Sequence, residues 1–367
     1  MAKTEIESLD LSTAEKINLI TDRLQEIIGL DELKAIINMR PLKIYFGTAP
    51  TGRIHIGYLV PLLKIVDFLV AGCEVKILFA DLHARLDSLK TTPELIELRC
   101  TYYERMIKTV LAALHIPLDK LIFVRGTSFQ LTPQYTFDMY KLTTLVSVHD
   151  ALKAGSRVVK QSEFPKLSGP LYPLLQILDE EYLGVDIQIS GIDQKKITTL
   201  ARDTLPLLGY KKRIELMTPM LTAINAKPKT LDAKEESDID QKMSSSDLNS
   251  KIDFLDTKNE IKRKINQAYC LEGDLTFNPL MELMKLVIFP LLKHLGKPNF
   301  IINRPEKYGG AITYTNFEQL KIDFAEKKLH PQDLKMGIAD CLNNFFEPIR
   351  QEFSTQEMVY LLKKDYP

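Results

Sequence analysis

The stretch LKIYFGTAPTGRIHIGYLVPLLKIVDFLVAG, residues 42–72, decides the fold. A short apolar run of β type (42–47) ends in glycine and is followed by a turn rich in glycine and proline. The remainder (55–72) has the length of a helix and closes on Gly72, a residue typical of helix C-termini. A strand that feeds a helix in this way is the first half of a parallel βα unit.

The pattern repeats downstream of this unit. Further strands are predicted at EVKILFA (74–80), KLIFV (120–124), VDIQIS (185–190) and RIELM (213–217). Helices are predicted between and after them at 94–114, 171–184 and 191–205, and a leading helix at 12–39 with Ser12 or Thr13 as its N-cap. Alternating strands and helices predict an α/β fold with a parallel sheet.

The character of the chain changes after residue 224. Residues 225–241, NAKPKTLDAKEESDIDQ, are polar, charged and poor in large apolar side chains, which indicates mobile surface. Beyond residue 255 the periodicity is helical and no strand is predicted. The predicted organisation is an α/β domain over 1–224, a mobile loop and linker over 225–254, and an all-α domain over 255–367.

Composition sets limits but does not point to a function. Hydrophobic residues make up 45% and charged residues 26%, as in soluble globular proteins, and the net charge of zero predicts no global basic footprint for nucleic acid. No apolar run is long enough for a membrane span, and the N-terminus does not resemble a secretory signal. The four cysteines are far apart and lack zinc spacing, so we predict no metal site and a reducing cytoplasmic compartment.

The turn after the first strand of the α/β pattern, YFGTAPTGRIHIGY (45–58), is suited to binding an anion. Gly47 keeps the backbone open, and His55 is predicted to lie in the first helical turn, where backbone N–H groups point outwards. A histidine there can donate to a phosphate, and Gly57 lets a flat base lie against the helix. The alternative is an ordinary βα loop capped by a histidine.

A second segment, KMSSS (242–246), combines a lysine with small hydroxylic residues on a polar loop. Such a loop can close over a triphosphate. The alternative is a lysine on a solvated loop without a specific role.

Two further segments place polar groups beside apolar ones. On the helix at 171–184, Tyr172, Gln176 and Asp179 share one face that borders the apolar face, which predicts the wall of a pocket; the alternative is a solvated helix rim. At the turn after the strand at 185–190, Asp193 can accept from ribose hydroxyls and Gln194 from an ammonium group. The alternative for Asp193 is a simple N-cap.

The order of these segments carries a family resemblance. PTGRIHIGY and KMSSS resemble the HIGH and KMSKS signatures of class I aminoacyl-tRNA synthetases. FADLHARLDSLK, LYPLLQILDEEYLGVD and GIDQKK between them resemble tyrosyl-tRNA synthetases of the archaeal and eukaryotic cytosolic type, as do RPEKYGG (304–310) and LHPQDLK (329–335). The resemblance covers residues 40–352 and implies a Rossmann-like catalytic domain, with an inserted dimerisation and acceptor-binding region at 94–170, followed by an all-α anticodon-binding domain.

The resemblance also implies roles for individual residues. Tyr45 and Asp179 would contact the substrate phenol, and its ammonium group would be held by Tyr172, Gln176 and Gln194. His55 and Lys242 would act on the ATP phosphates as catalytic residues, Gly57 would face the adenine and Asp193 the ribose. The remaining ATP contacts would come from Gly47, Met243, Ser244 and Ser245. Tyr308 would stack on the first anticodon base, and Asp333 would bind the edge of that base.

The chemistry of the substrate fits this assignment. A phenol hydroxyl is both donor and acceptor, so a carboxylate and a second phenol satisfy it, whereas phenylalanine would leave both groups buried and unpaired. Two positions depart from the signatures, since Tyr58 replaces the second histidine and Ser245 the second lysine. The expected ligands are L-tyrosine, ATP with Mg²⁺ and tRNA(Tyr), and the expected assembly is a homodimer. The alternatives are a tryptophanyl-tRNA synthetase and a catalytically inert RNA-binding relative.

Overall fold

The computed structural model describes residues 11–87, 91–158, 166–228, 242–243, 247 and 249–365. The chain forms two compact units. The first comprises the described residues of Met1–Thr51, Lys64–Arg105 and Pro117–Pro219, and the second those of Gly52–Leu63, Met106–Ile116 and Met220–Pro367.

The α-helices follow one another along the whole described chain. In chain order they are α1 Thr13–Thr21, α2 Leu30–Ile36, α3 Leu59–Val70, α4 Asp81–Asp87, α5 Pro93–Ala113, α6 Thr127–Gln130, α7 Pro133–Leu145, α8 Val148–Gly155, α9 Ser168–Tyr182, α10 Lys195–Thr204, α11 Lys258–Gln267, α12 Pro279–Leu283, α13 Phe289–His294, α14 Phe317–Ala325, α15 Pro331–Glu352 and α16 Gln356–Asp365. A π-helical turn, Met284–Ile288, joins α12 to α13.

The first unit is built on a six-stranded sheet. Its strands are β1 Glu26–Ile28, β2 Lys43–Thr48, β3 Glu74–Phe79, β4 Leu121–Arg125, β5 Ile187–Gly191 and β6 Ile214–Thr218, in the spatial order β1-β6-β5-β2-β3-β4. All neighbours are parallel except β1 and β6, so the predicted α/β fold is confirmed with one antiparallel edge. The five predicted strands lie within two residues of their expected bounds, because each is a short run rich in apolar residues.

The prediction of one helix over 12–39 is wrong. Ser12 does cap a helix, since its side chain accepts from the backbone N–H of Glu15 in a capping box, but α1 ends at Thr21. Arg23 and Gly29 have positive φ angles of 57° and 92°, which break the helical path on either side of β1. Between them β1 adds an antiparallel edge to β6.

The second unit is predominantly helical, but the region after residue 255 is not free of strands. Two short strands, β7 Phe300–Ile302 and β8 Ile312–Tyr314, pair antiparallel. The prediction that no strand lies beyond residue 255 is therefore wrong for these residues. Each strand has only three residues, so too little alternation is available in the sequence to distinguish it from the helical pattern around it.

The strand order also locates the crevice of the first unit. From β2 the chain adds β3 and then β4 on one side of the sheet, and it adds β5 and then β6 on the other. In open α/β sheets ligands bind at the carboxyl ends of the strands at such a switch point. The carboxyl ends of β2 and β5 therefore define the expected binding edge.

Helix α5 contributes its aromatic residues to the protein core. Tyr102, Tyr103 and Met106 are fully buried within the chain, so they form part of its core. No helix in the described parts of the chain combines the length and the apolar character needed to cross a membrane.

Candidate active site

Tyr45 lies on β2, three residues before Thr48, the last residue of the strand. Its side chain is 1% exposed, and its hydroxyl has no hydrogen-bond partner among the described residues. Burial, reinforced by the nearby carboxylates of Glu180 and Asp179, raises the pKa of Tyr45 well above its usual value. The phenol therefore stays protonated and can donate a hydrogen bond. Gly47 follows on the same side of the strand, is exposed, and leaves the edge open above the Tyr45 ring.

Helix α9 supplies the predicted polar stripe. Tyr172, Gln176 and Asp179 lie within the helix at the spacing that places them on one face, and their apolar neighbours are buried. Asp179 is 1% exposed, whereas Tyr172 and Gln176 are half-buried. The alternative of a solvated helix rim is therefore wrong for Asp179.

Two residues from distant segments fix the Asp179 carboxylate. Gln130 Nε2 donates to Asp179 Oδ1 at 2.8 Å, and the Tyr135 hydroxyl lies 2.9 Å from the same oxygen. Burial still raises the pKa of Asp179 to about 7, against the lowering effect of these hydrogen bonds. Sequence reasoning missed Gln130 and Tyr135, because no local pattern marks residues that act only through a third side chain.

His83 borders the same stripe. Its ring meets the Tyr172 ring edge-on, with centroids 4.6 Å apart, and its side chain is buried. Burial lowers the pKa of His83 to about 4, so the imidazole is neutral at pH 7 and acts as a flat wall rather than a cation.

Asp193 and Gln194 lie in a short 3₁₀ turn, Ile192–Gln194, directly after β5. The N-cap alternative for Asp193 is wrong, because Gln194 occupies the N-cap position of α10 and makes no capping hydrogen bond. Asp193 is nevertheless buried. Since β5 and β2 are parallel neighbours, Asp193 and Gln194 follow the carboxyl end of the strand that pairs with the strand of Tyr45, and Tyr45 itself lies opposite Gln188 within the sheet.

In the second unit, His55 is the N-cap of a 3₁₀ turn, Ile56–Tyr58, rather than a residue inside a helical turn as predicted. Its Nδ1 accepts from the backbone N–H of Gly57 at 3.2 Å, so Nε2 carries the proton. Burial, with a smaller effect of Lys251, lowers the pKa of His55 to about 3. The side chain is therefore a neutral imidazole with one N–H available to donate.

A side chain at position 57 would collide with the His55 ring, so the position requires glycine. A Cβ at this position would lie 2.8 Å from His55 Cε1 and 3.0 Å from Nδ1, closer than real contacts allow. The next nearest atom would be Met243 Sδ at 3.9 Å. The structure thus brings together three predicted residues, His55, Gly57 and Met243.

The segment 252–253, which sequence reasoning missed, binds the backbone of this turn. His55 forms a β-bridge with Asp253, and the backbone N–H of Ile56 donates to the carbonyl of Ile252 at 2.8 Å. Arg53 also pairs with the Asp253 carboxylate at 3.1 Å. Asp253 is buried, so this pair holds the turn in place with little competition from water.

Lys242 and Met243 have an ordered backbone. Lys242 forms an antiparallel bridge with Thr222, and the N–H of Met243 donates to the carbonyl of Leu221 at 3.1 Å. Met243 is buried. Ser244 and Ser245 lie outside the described residues, as does most of the stretch 225–241.

An arginine connects Asp333, one of the predicted anticodon residues, with Gly310, two residues after Tyr308, the other one. Arg304 Nη1 lies 3.2 Å from Asp333 Oδ2, near the N-terminus of α15, and Arg304 Nε donates to the carbonyl of Gly310 at 3.0 Å. The Tyr308 side chain is 63% exposed, with Lys307 Nζ 4.9 Å from its ring centroid. The loop therefore presents an aromatic face with a cation beside it.

The fold and these groups define an α/β protein with a polar crevice at a switch point and a neutral histidine at a helix start. The model of the family "tRNA synthetases class I (W and Y)" matches residues 38–347. The chain is 50% identical to the cytoplasmic tyrosine–tRNA ligase of Gallus gallus, over 96% of this chain and 63% of that protein. It is 47% identical to the corresponding ligase of Saccharomyces cerevisiae, over 96% and 88% of the two chains.

A crystal structure of tyrosyl-tRNA synthetase complexed with L-tyrosine from Pyrococcus horikoshii is similar, with a TM-score of 0.88 and 29% identity over 96% of this chain and all of that one. The chain belongs to the class I tRNA synthetase family for tryptophan and tyrosine, within its tyrosyl-tRNA synthetases. It spans about 63% of the length of the Gallus gallus relative.

Replacing Asp179 by Asn should stabilise the fold in a pH-dependent way. The amide oxygen can still accept from Gln130 and Tyr135, but no charge is buried. The folded-state pKa of about 7 lies above the ordinary 3.8, so the cost of ionising Asp179 is absent below about pH 4 and complete above pH 7. We expect the variant to gain at most about 4 kcal/mol at pH 8.

The measurement is thermal or urea unfolding of both proteins at pH 5 and pH 8. Other buried carboxylates titrate equally in the two proteins, so the difference between them isolates Asp179. A gain that is the same at both pH values would contradict the prediction.

Proposed function

We propose that this chain activates L-tyrosine with ATP and transfers it to tRNA(Tyr). The tyrosine carboxylate attacks the α-phosphate of ATP, which forms tyrosyl-adenylate and releases pyrophosphate. A ribose hydroxyl of the terminal adenosine of the tRNA then takes the tyrosyl group and releases AMP. The protein forms no covalent intermediate in the first step, and catalysis consists of positioning and of stabilising charge on the leaving pyrophosphate.

The nearness of two buried side chains, Tyr45 and Asp179, is the observation that carries this proposal. Both side chains are buried; the Tyr45 hydroxyl can donate and has no partner among the described residues, and the Asp179 carboxylate is an acceptor. A phenol hydroxyl needs both a donor and an acceptor. An indole N–H needs only an acceptor and would leave the Tyr45 hydroxyl buried and unpaired, which favours tyrosine over tryptophan as the substrate.

The polar groups beside this pair suit the rest of the amino acid and the nucleoside. We assign the tyrosine ammonium group to Tyr172, Gln176 and Gln194, all of which offer oxygen acceptors. Asp193 accepts from the ribose hydroxyls. The position of Gln194 and Asp193 directly after β5 supports both assignments.

The phosphate-binding role falls to the second unit. His55 donates through Nε2–H as a neutral group, Lys242 supplies a positive charge, and Gly57 keeps space for the histidine ring beside the adenine. We assign the other ATP contacts to Gly47, Met243, Ser244 and Ser245. Mg²⁺ arrives with ATP and is held mainly by phosphate oxygens; among the described residues no cluster of three His, Cys, Asp or Glu side chains is placed to hold a metal.

We propose that the region from 255 to 367 binds the anticodon. Tyr308 is exposed enough to stack on a base, and Asp333 is fixed by Arg304 so that its carboxylate can accept from a base edge. The catalytic domain covers 1–224, with the inserted region at 94–170, and 225–254 is the loop and linker. The relatives named cytoplasmic ligases support a cytoplasmic location.

A homodimer is supported by an exposed apolar face on α7. Phe137 and Tyr140 are 58% and 67% exposed, and Leu145 and Val148, further along the chain, are also exposed. The opposite side of α7 is anchored, because the buried Asp138 accepts from the Tyr182 hydroxyl at 2.7 Å. Contiguous exposed apolar groups of this kind mark interaction sites, and this one lies in the region assigned to dimerisation.

Amino-acid-dependent ATP–pyrophosphate exchange tests the proposed function directly. With each of the twenty amino acids in turn, we expect exchange with tyrosine and none above background with phenylalanine, which cannot pair with Tyr45 and Asp179. Exchange driven by tryptophan would instead indicate a tryptophanyl-tRNA synthetase. Exchange with none, together with retained tRNA binding, would indicate an inert RNA-binding relative.

Substituting His55 or Lys242 by Ala should slow adenylate formation while leaving tyrosine affinity nearly unchanged. Both groups are expected to act on the phosphates, where charge increases in the transition state, and we expect a loss of roughly 10²-fold or more in rate. The measurements are single-turnover adenylate formation and equilibrium dialysis with tyrosine. Gln176→Ala is the comparison variant, because the loss of Gln176, which is assigned to the tyrosine ammonium group, should weaken tyrosine binding. Equal losses of rate and affinity for His55→Ala would contradict the assignment.

Introducing a charge into the exposed face of α7 should dissociate the dimer. Phe137→Glu places a carboxylate in the proposed apolar contact. We expect the molar mass measured by light scattering at low micromolar concentration to fall from twice the mass of the chain to the mass of one chain. Met39→Glu is the control, since Met39 is 76% exposed and lies outside this face. A Phe137→Glu protein that remains dimeric would show that the interface lies elsewhere.

A further inference from the structure

The segment that carries Lys242 is attached to a carboxylate on α12. The backbone N–H of Thr222 donates to Glu282 Oε1 at 3.0 Å, and the Thr222 hydroxyl donates to Glu282 Oε2 at 2.7 Å. Both carboxylate oxygens of Glu282 thus accept a hydrogen bond from the same residue, Thr222. Thr222 is in turn the bridge partner of Lys242.

Thr222 lies at the centre of a small strand-like arrangement. On one side the N–H of Met243 donates to the carbonyl of Leu221 at 3.1 Å. On the other side the N–H of Ile224 donates to the carbonyl of Ser250 at 2.9 Å. The segment 221–224 therefore contacts the first two residues of the KMSSS motif and also Ser250, which follows the motif, and Glu282 binds Thr222 within this segment.

Glu282 is itself mounted on a fixed support. Asn278 caps α12 by accepting from the N–H groups of Leu280 and Met281. The side chains around Glu282 on this helix, Leu280, Met281, Leu283 and Met284, are all buried. A carboxylate on such a support cannot follow the motion of a loop without breaking its hydrogen bonds.

The residues at the other end of this arrangement are those assigned to the phosphates. Met243 Sδ would lie 3.9 Å from a Cβ at Gly57, and Gly57 donates to His55. A shift of the 221–224 segment would therefore move Lys242 and would also change the packing beside His55.

We propose that Glu282 is a positioning residue for tyrosine activation: it fixes Thr222 and, through the bridge to Lys242, sets the backbone from which the Lys242 ammonium group reaches the ATP phosphates. This role rests on the proposed function, and Glu282 itself touches no substrate. Its hydrogen bonds are charge-assisted and therefore stronger than those between neutral groups. Partial burial raises the pKa of Glu282, while the two hydrogen bonds from Thr222 oppose that effect.

The first experiment measures the anchor without using activity. Hydrogen–deuterium exchange at the amides of Thr222 and Met243 should be about tenfold faster in Glu282→Ala. This is the change in exchange rate expected when hydrogen bonds to a charged acceptor are lost. The strand β6 serves as an internal reference and should not change. Unaltered exchange at Thr222 and Met243 would overturn the anchor whatever the enzyme catalyses.

The second experiment measures the consequence for catalysis. In single-turnover adenylate formation, Glu282→Ala should lose about tenfold in rate with an unchanged dissociation constant for tyrosine, because only the phosphate side is displaced. Glu282→Gln should retain the rate within about threefold, since its amide oxygen can accept from the Thr222 N–H and its amide nitrogen can donate to the Thr222 hydroxyl. Thr222→Val should lie between the two, and Thr222→Ser should match wild type.

Lys285→Ala is the matched control, since Lys285 is exposed in the next turn after Glu282. Faster exchange at Thr222 without loss of rate would overturn the positioning role. Parallel loss of tyrosine affinity would also overturn it, because it would indicate general disruption. A wild-type protein without tyrosine-dependent activity would refute the proposed function, while the exchange data would still decide whether Glu282 anchors Thr222.

Discussion

The buried carboxylate of Asp179 is the constraint on which the first unit depends. A charge without contact with water is costly, and only a donor set fixed by the fold makes it tolerable. Gln130 and Tyr135 supply two donors to one oxygen, and the Tyr135 hydroxyl also lies 2.8 Å from the carbonyl of Leu175 on the same helix. The helices α6 and α7, which carry Gln130 and Tyr135, are therefore coupled to α9, and the burial of this carboxylate costs stability.

The second unit buries a titratable side chain without a charge. His55 is neutral, fixed in one tautomer by the Gly57 N–H, and supported by the bridge to Asp253. A buried imidazolium would repel the nearby Lys251 and lose its hydration, so a neutral donor is the form that burial permits. Stabilisation by such a group depends on where its N–H points rather than on net charge.

The parts of this structure that could be predicted follow local periodicity. The strand β3 is a short apolar run, and Tyr172, Gln176 and Asp179 repeat with the period of a helix, so neither needs knowledge of the rest of the chain. The edge strand β1 could not be predicted, because three residues become a strand only by pairing with β6. Gln130 and Glu282 were missed for the same reason, since each acts on a residue far away in the sequence.

These long-range contacts bear on the two departures from the signature sequences. Tyr58 and Ser245 stand where cationic side chains are usual, and His55 is uncharged, so Lys242 is the cationic member of the residues assigned to the phosphates. When one cation carries this role, an error in its position is not shared with a neighbour, and a displacement of about 1 Å can cost 10²-fold in rate. A loop in this chain therefore gains more from a rigid base than one with two lysines. The two hydrogen bonds from Thr222 to Glu282 provide that rigid base, because Glu282 lies on α12, a helix that is capped by Asn278 and largely buried.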